Sequence, residues 1–392
     1  MARDVVIVGA ARTPIGSFLG TLSTLTAPQL GAIAIKAALE RAGVDPAKVE
    51  EVWMGNVLQA GQGQAPARQA ALGAGIPDTV PTNTLNKMCG SGLKAVISAA
   101  QAIALGEAEV IVAGGFESMS NAPYLSLNMR QGARMGNVEM KDHMVFDGLT
   151  DVYSNQHMGM CAEACAEQFK ISRAAQDEFA LESTNRAIRS QKEGLFKAEI
   201  VPVPVPTKKG EPVMVADDEG PKNAKPEKIA TLKPVFKKDG TVTAANASSI
   251  NDGGAALVIM SAERAKAEGK TVLGRITGYT TAARKPVEFT IAPADAIKKL
   301  FERTKTSAAD VDLWEINEAF AVVAIANNQL LKLDPSRVNI RGGATSLGHP
   351  IGASGARVLI TLLQTMKDTG KKRGVASLCI GGGEGIALMV ER

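Results

Sequence analysis

The chain has 392 residues, of which 45% are hydrophobic, 21% charged and 4% aromatic, enough apolar material for a large core and two or more domains. That composition excludes a disordered or low-complexity protein. Lys and Arg number 44 against 40 Asp and Glu, a net charge of +4, so nothing general draws the chain to nucleic acid or an acidic membrane face. An anionic ligand must be met locally.

The N-terminus carries one short apolar run without the length or flanks of a signal peptide, and no stretch approaches the roughly 18 apolar residues of a membrane span. The four cysteines, at 89, 161, 165 and 379, are too few for a disulfide framework and suit a reducing compartment. The expectation is a soluble, cytoplasmic protein; a processed mitochondrial chain would read the same way.

In chain order, Val5 to Val8 read as a buried strand ending at Gly9, Leu30 to Arg41 as a helix, and Val110 to Ala113 as a strand ending in Gly114 and Gly115. This succession predicts an α/β fold with a mostly parallel sheet under helices. The grammar then repeats. AIKAALERAGVDPAKV (34–49) lies over AIKKLFERTKTSAADV (296–311) without a gap, and a one-residue deletion brings Trp53 onto Trp314 and Asn56 onto Asn317. Downstream, SGLKAVISAAQ (91–101) lies over SGARVLITLLQ (354–364). Two similar α/β halves are expected. Between them, residues 121 to 247 read as an insertion: Met-rich first, helical from about Ser172 to Glu193, then an irregular, exposed arm over 201–228 whose lysines form a solvated face.

Four segments carry candidate chemistry. Cys89 lies in a Gly-rich turn directly before a helical pattern, where the free N–H groups and the dipole would lower a thiol pKa; a small buried cysteine packing where helix meets sheet is the alternative. His349, between Gly348 and Pro350 ahead of another helix start, is held too rigidly for a casual loop histidine. Cys379 ends an apolar strand before a glycine run whose N–H groups could face a developing oxyanion, and could shuttle a proton if its surroundings lowered its pKa. Asn317 and Glu318 stand where a strand runs into an apolar helix, the strand end at which open α/β sheets place ligands. Cys161 and Cys165 read as packing, the methionines from Met119 to Met160 as lining a pocket or an oligomer contact, and no metal site is expected.

NKMCGSGLKA, NEAFA, GHPIGASGAR and CIGGGEG stand in the order and spacing of the thiolase family, which essentially the whole chain resembles. Cys, His and Cys in these contexts differ from the related ketoacyl synthases, which keep a single Cys beside two histidines or a histidine and an asparagine. The resemblance implies a thiolase-like fold in five α-β-α-β-α layers. Its parts would be an N-terminal half (1–120 plus 248–270), an inserted loop domain (121–247) for coenzyme A binding and oligomer contacts, and a C-terminal half (271–392). It implies that Cys89 takes an acyl group as a thioester, that His349 deprotonates it, and that Cys379 exchanges the α-proton of a second substrate. His349 and a water held by Asn317 would serve one oxyanion, the N–H groups of Cys89 and Gly381 the other.

LTDVYSNQHMGMCAE (149–163) resembles the biosynthetic, acetoacetyl-CoA type, so the implied reaction is condensation of two acetyl-CoA to acetoacetyl-CoA and CoA. His157 and Met158 would flank pantetheine and acyl group, and Ser248 would bond the pantetheine with Ala244 nearby. Leu149, Phe236, Ala319 and Phe320 would add apolar walls, and Lys222 would stand as a loose substitute for a phosphate-binding Arg. The coenzyme A thioester is substrate, so no resident cofactor is implied; a homotetramer is, and partners in nucleic acid or membrane are not. A broader, degradative 3-ketoacyl-CoA thiolase remains the alternative among enzymes, and an acyl-CoA-binding relative without chemistry the alternative outside them.

Overall fold

A ten-stranded sheet organises the computed structural model, which describes residues 3–208 and 210–392. The first half runs β1 (Val5–Arg12), α1 (Ala27–Ala42), β2 (Glu51–Gly55), α2 (Pro66–Gly73), β3 (Thr82–Leu85), α3 (Ser91–Leu105) and β4 (Val110–Ser118). Helices α4 (Met158–Gln168) and α5 (Arg173–Lys192) lie in the insertion, and β5 (Asn251–Ser261) returns to pair with both β4 and β1. The second half runs β6 (Gly274–Ala283), α6 (Ala292–Thr304), β7 (Leu313–Ile316), α7 (Ala321–Leu331), α8 (Ser354–Thr369), β8 (Arg373–Ile380) and β9 (Glu384–Glu391).

Strand order is β7-β8-β9-β6-β1-β5-β4-β2-β3, with Gly16–Ser17 added against the start of β5. The two halves meet where β1 and β6, each the first strand of its half, pair antiparallel. Side-chain alternation along β1 explains the layering. Val5 and Ile7 face a central core shared with Leu93, Val96 and Ile97 of α3 and with Val358, Leu359 and Leu362 of α8. Val6 and Val8 face the opposite way, onto α1 and α2. Beyond the second half of the sheet, Ile297 and Leu300 of α6 pack on Trp314, Val375 and Met389. Helices, sheet, helices, sheet and helices are thus stacked in five layers.

Three expectations change. Pairing is parallel only for β2 with β3, β2 with β4, and β7 with β8, and antiparallel elsewhere, because β5 re-enters between β1 and β4 and because β8 and β9 form a hairpin. Gly9 does not end its strand: β1 continues to Arg12 across a register shift between Ile7 and Gly9, and β4 runs past Gly114 and Gly115 to Ser118. The segment Met88–Leu105 is long and apolar enough to span a membrane by length and composition, yet it is mostly buried and contains the central helix α3. The insertion joins two adjacent strands, β4 and β5. Its arm contains a short hairpin, Val203–Val205 with Val213–Val215, and buries Asp218 against Arg12 of β1.

Candidate active site

Both central helices begin on the serine that the repeat predicts, Ser91 for α3 and Ser354 for α8, and they cross at their N-terminal ends. A Cβ on Gly92 would lie 2.8 Å from the Ala356 nitrogen, and one on Gly355 would lie 2.3 Å from the Leu93 nitrogen. Only glycine permits that approach, and it brings the turns preceding the two helices together.

The first turn carries Cys89. Met88, directly before it, has φ +45°, a left-handed conformation that a side chain seldom adopts and that recurs at functional positions. Asn86 Oδ1 accepts from Met88 N at 2.9 Å, while Ser91 Oγ accepts from Lys87 N at 2.8 Å and donates to Met88 O at 2.6 Å. Lys87 pairs with Glu384 of β9, tying the Cys89 turn to the β8–β9 turn. There Gly382 and Gly383 both have φ +92°, and the Gly381 N–H bonds the Cys89 sulfur.

The second turn carries His349. Its N–H donates to Asn251 Oδ1 at 2.9 Å, and Nδ1 lies 2.6 Å from Ser354 Oγ, whose own proton goes to Pro350 O at 2.9 Å. With that hydroxyl proton committed, Nδ1 is the protonated nitrogen and Nε2 is left free to accept. Nε2 lies 3.5 Å from Asn317 Nδ2, and Asn317 Oδ1, buried, has no protein partner. Cys379, fully buried at the end of β8, is close enough to Cys89 to feel the charge of its thiolate, and receives a backbone bond from Ala319.

Burial sets the protonation states. It pushes the Cys89 thiol up to about 11, against the N–H groups of Gly381 and Cys89 itself and with a small push from the Glu117 charge. The net shift is therefore opposite to the lowering expected at a helix start, because burial outweighs both N–H groups. His349 is pushed down to about 3 by burial and then by Arg357, so the resting pair is neutral thiol and neutral imidazole. Burial also holds Cys379 well above the usual thiol range, opposite to the lowering that proton shuttling was expected to need.

Above these groups opens a cavity of about 540 Å³, lined mostly by apolar atoms. Cys89, His349 and Gly381 stand at its wall with Leu149, His157, Met158, Phe236, Ala244, Ser248, Ala319 and Phe320. Asn317 and Cys379 lie outside this lining, Asn317 beside His349 and Cys379 within reach of the Cys89 charge. Lys222 does not join them: it is exposed on the short helix Glu219–Asn223, outside the cavity lining. His157 caps α4, its Nδ1 accepting from Gly159 N at 3.0 Å, and stacks on Phe236 with ring centroids 4.6 Å apart.

The matches to known proteins extend over the same parts. The chain matches the family described as thiolase, N-terminal domain, over residues 5–263 and thiolase, C-terminal domain, over residues 270–392. The chain belongs to the thiolase family. It is 54% identical over 390 residues to an acetyl-CoA acetyltransferase of Cupriavidus necator, covering 99% of each chain. It is 55% identical over 391 residues to acetyl-CoA acetyltransferase 1 of Arabidopsis thaliana, covering 99% of this chain and 94% of that one. The crystal structure of the Bacillus anthracis acetyl-CoA acetyltransferase superposes with a TM-score of 0.97 at 44% identity, covering 100% of this chain and 99% of that one.

Several residues of this thiolase escaped the sequence reading. Met119, Ile250, Phe289 and Ile351 also line the cavity; of these only Met119 was signalled, by the Met-rich stretch. Ser354 and Asn251, which fix the imidazole, looked like a helix start and a strand start. Glu318, marked in the sequence beside Asn317, is a buried clamp: it accepts from Ser183 of α5 at 2.7 Å, Asn339 at 2.8 Å and the Thr345 hydroxyl at 2.6 Å, and so holds the turn that carries Asn317. Glu117 is buried, with its carboxyl pushed up to about 7 by burial against bonds from Leu58, Val57 and Gly352.

Proposed function

We propose that the protein is an acetyl-CoA C-acetyltransferase, condensing two acetyl-CoA reversibly to acetoacetyl-CoA and CoA. The carrying observation is the convergence of Cys89, His349 and Gly381, with Cys379 behind them, on one apolar cavity. In the first half-reaction His349 Nε2 takes the Cys89 proton as the sulfur attacks the acetyl carbonyl, then returns it to the departing CoA sulfur. The N–H groups of Cys89 and Gly381 face the oxyanion of that step.

In the second half-reaction Cys379 removes an α-proton from the next acetyl-CoA, and the carbanion attacks the Cys89 thioester to form the new C–C bond. Cys379 first releases its own proton to solvent and acts as the thiolate; the α-proton it takes passes to the Cys89 sulfur as the product leaves, and a proton regained from solvent restores the second thiol. The burial that raises Cys379 makes its thiolate a stronger base, suited to a weakly acidic C–H. A water on Asn317 donates to the enolate oxygen, and His349 joins it only while Nε2 carries a proton. The wall of Met158, Phe236, Ala319 and Phe320 fits an apolar pantetheine arm.

The CoA thioester is the substrate in this scheme, and no resident cofactor takes part. The free cysteines support a reducing, cytoplasmic setting. A homotetramer is supported by an apolar surface on the insertion, where Tyr124, Leu127, Met129 and Met140 are exposed and Met135 is 99% exposed; light scattering tests it. The function is tested by steady-state kinetics in both directions with acetyl-CoA, acetoacetyl-CoA and a longer 3-ketoacyl-CoA. Substantial turnover of the long substrate would favour a broader thiolase. Mass labelling adds the chemical test: acetyl-CoA should leave one acetyl group on wild type and none on Cys89→Ala, and equal labelling of both removes Cys89 as nucleophile.

A further inference from the structure

The internal repeat gives each catalytic position a counterpart. With Trp53 laid on Trp314, the pairings Trp53 with Ala113 and Trp314 with Val375 superpose β4 on β8 so that Glu117 takes the place of Cys379. The matched helix starts at Ser91 and Ser354 put Gly352 in the place of Cys89, and Asn56 takes the place of Asn317. The mates of the two sulfurs and the asparagine are therefore a carboxylate, a backbone N–H and a second asparagine.

These mates bond one another directly. Glu117 Oε2 accepts from Gly352 N at 2.9 Å and Val57 N at 3.0 Å; Oε1 accepts from Asn56 Nδ2 at 2.8 Å and Leu58 N at 3.1 Å. Glu117 is completely buried, and the four groups bonded to its carboxyl are all donors. The packing leaves no slack, since a Cβ on Gly115 would lie 2.0 Å from Gly352 O. What the carboxylate grips is the His349 turn, because Gly352 lies between His349 and the Ser354 that fixes its ring. The oxygen that holds Gly352 also holds Val57, and the other holds Asn56 and Leu58; Val57 and Leu58 pack with Met119 and Ile351 and adjoin Cys89.

We propose that Glu117, the pseudo-symmetric mate of Cys379, is a positioning residue for the condensation, clamping the His349 turn of one half to the Asn56–Leu58 turn of the other. The inference rests on the acetyltransferase reading, and its experiment separates the two. Thiolysis of acetoacetyl-CoA is measured first on wild type, where no activity would overturn the reading of function. In Glu117→Gln one carboxylate oxygen becomes an NH2 group facing donors. The expected result is a kcat at least about tenfold lower with KM within about twofold, at a temperature where the variant is folded by circular dichroism.

Glu163→Gln is the control, because Glu163 is another buried carboxylate that accepts from Thr241 N, Val242 N and the Thr241 hydroxyl, away from the His349 turn. It should lower the melting temperature yet leave kcat within about threefold. If Glu117→Gln does not fold, Asn56→Ser decides: it removes one donor and should lower kcat several-fold at unchanged KM. Wild-type kcat in either folded variant, or an equal loss of kcat in the Glu163 control, overturns the proposal.

Discussion

At His349, a buried imidazole that is neutral when folded couples catalysis to acid stability. The folded ring is pushed down to about 3 from an ordinary 6.5, so between those limits the unfolded chain binds a proton that the folded chain refuses. This contribution is fully present above 6.5 and is lost as pH falls toward 3. By about pH 5 the part already lost is on the order of 2 kcal/mol. Urea unfolding of wild type and His349→Asn at about pH 7.5 and about pH 5 should show wild type losing more by that amount; identical losses would contradict the neutral burial. Cys379→Ser tests the other sulfur. A serine hydroxyl keeps the packing but is a far weaker acid than a thiol, so Cys89 should still acetylate while condensation falls by at least about a hundredfold. Normal condensation would remove Cys379 from the scheme. Cys89, His349 and Cys379 were legible as candidates because each stands in a local glycine-rich pattern. Glu117, Ser354 and Asn251 were not, because their roles come from bonds to residues that only the folded chain brings near.

Among the elements, the crossing of α3 and α8 is what converts two half-sites into one. Gly92 and Gly355 correspond in the repeat and meet at the crossing, so any side chain there separates the Cys89 and His349 turns together. Gly355→Ala should therefore cost stability by overpacking, about 1–3 kcal/mol, and kcat out of proportion to it, by tenfold or more at a temperature where the variant is folded. Denaturant titration beside kcat measures both, and a stability loss with full activity would show that the crossing does not set the site. The helix starts were readable from aligned serines and the layers from apolar alternation. Sheet polarity was not readable: β5 enters beside β4 only after the long insertion, and no local pattern announces a strand's direction.

Across the whole molecule, the insertion reads in sequence as an exposed arm but folds as a strut between the halves. Arg12 of β1, almost wholly buried, is held by Asp218 at 2.7 Å and Glu199 at 2.8 Å, both from the insertion, and Thr361 of α8 donates to the same Glu199 at 3.2 Å. One charge cluster thus joins all three parts, and Ser183 of α5 ties the insertion to the second half again by donating to Glu318 and accepting from Gly343 N at 3.0 Å. Its charges lie far apart in sequence, which is why composition shows only a polar, lysine-bearing stretch. Removing Asp218 leaves a buried guanidinium with half its partners, a loss of about 3–5 kcal/mol. If the insertion were a separate unit, Asp218→Ala would split unfolding into two transitions and leave the halves unchanged. The cluster predicts one transition displaced as a whole to lower denaturant, followed in parallel by tryptophan fluorescence, whose reporters Trp53 and Trp314 lie in β2 and β7, and by loss of thiolysis. A fluorescence transition that stays in place while activity is lost earlier would show that the insertion loosens alone.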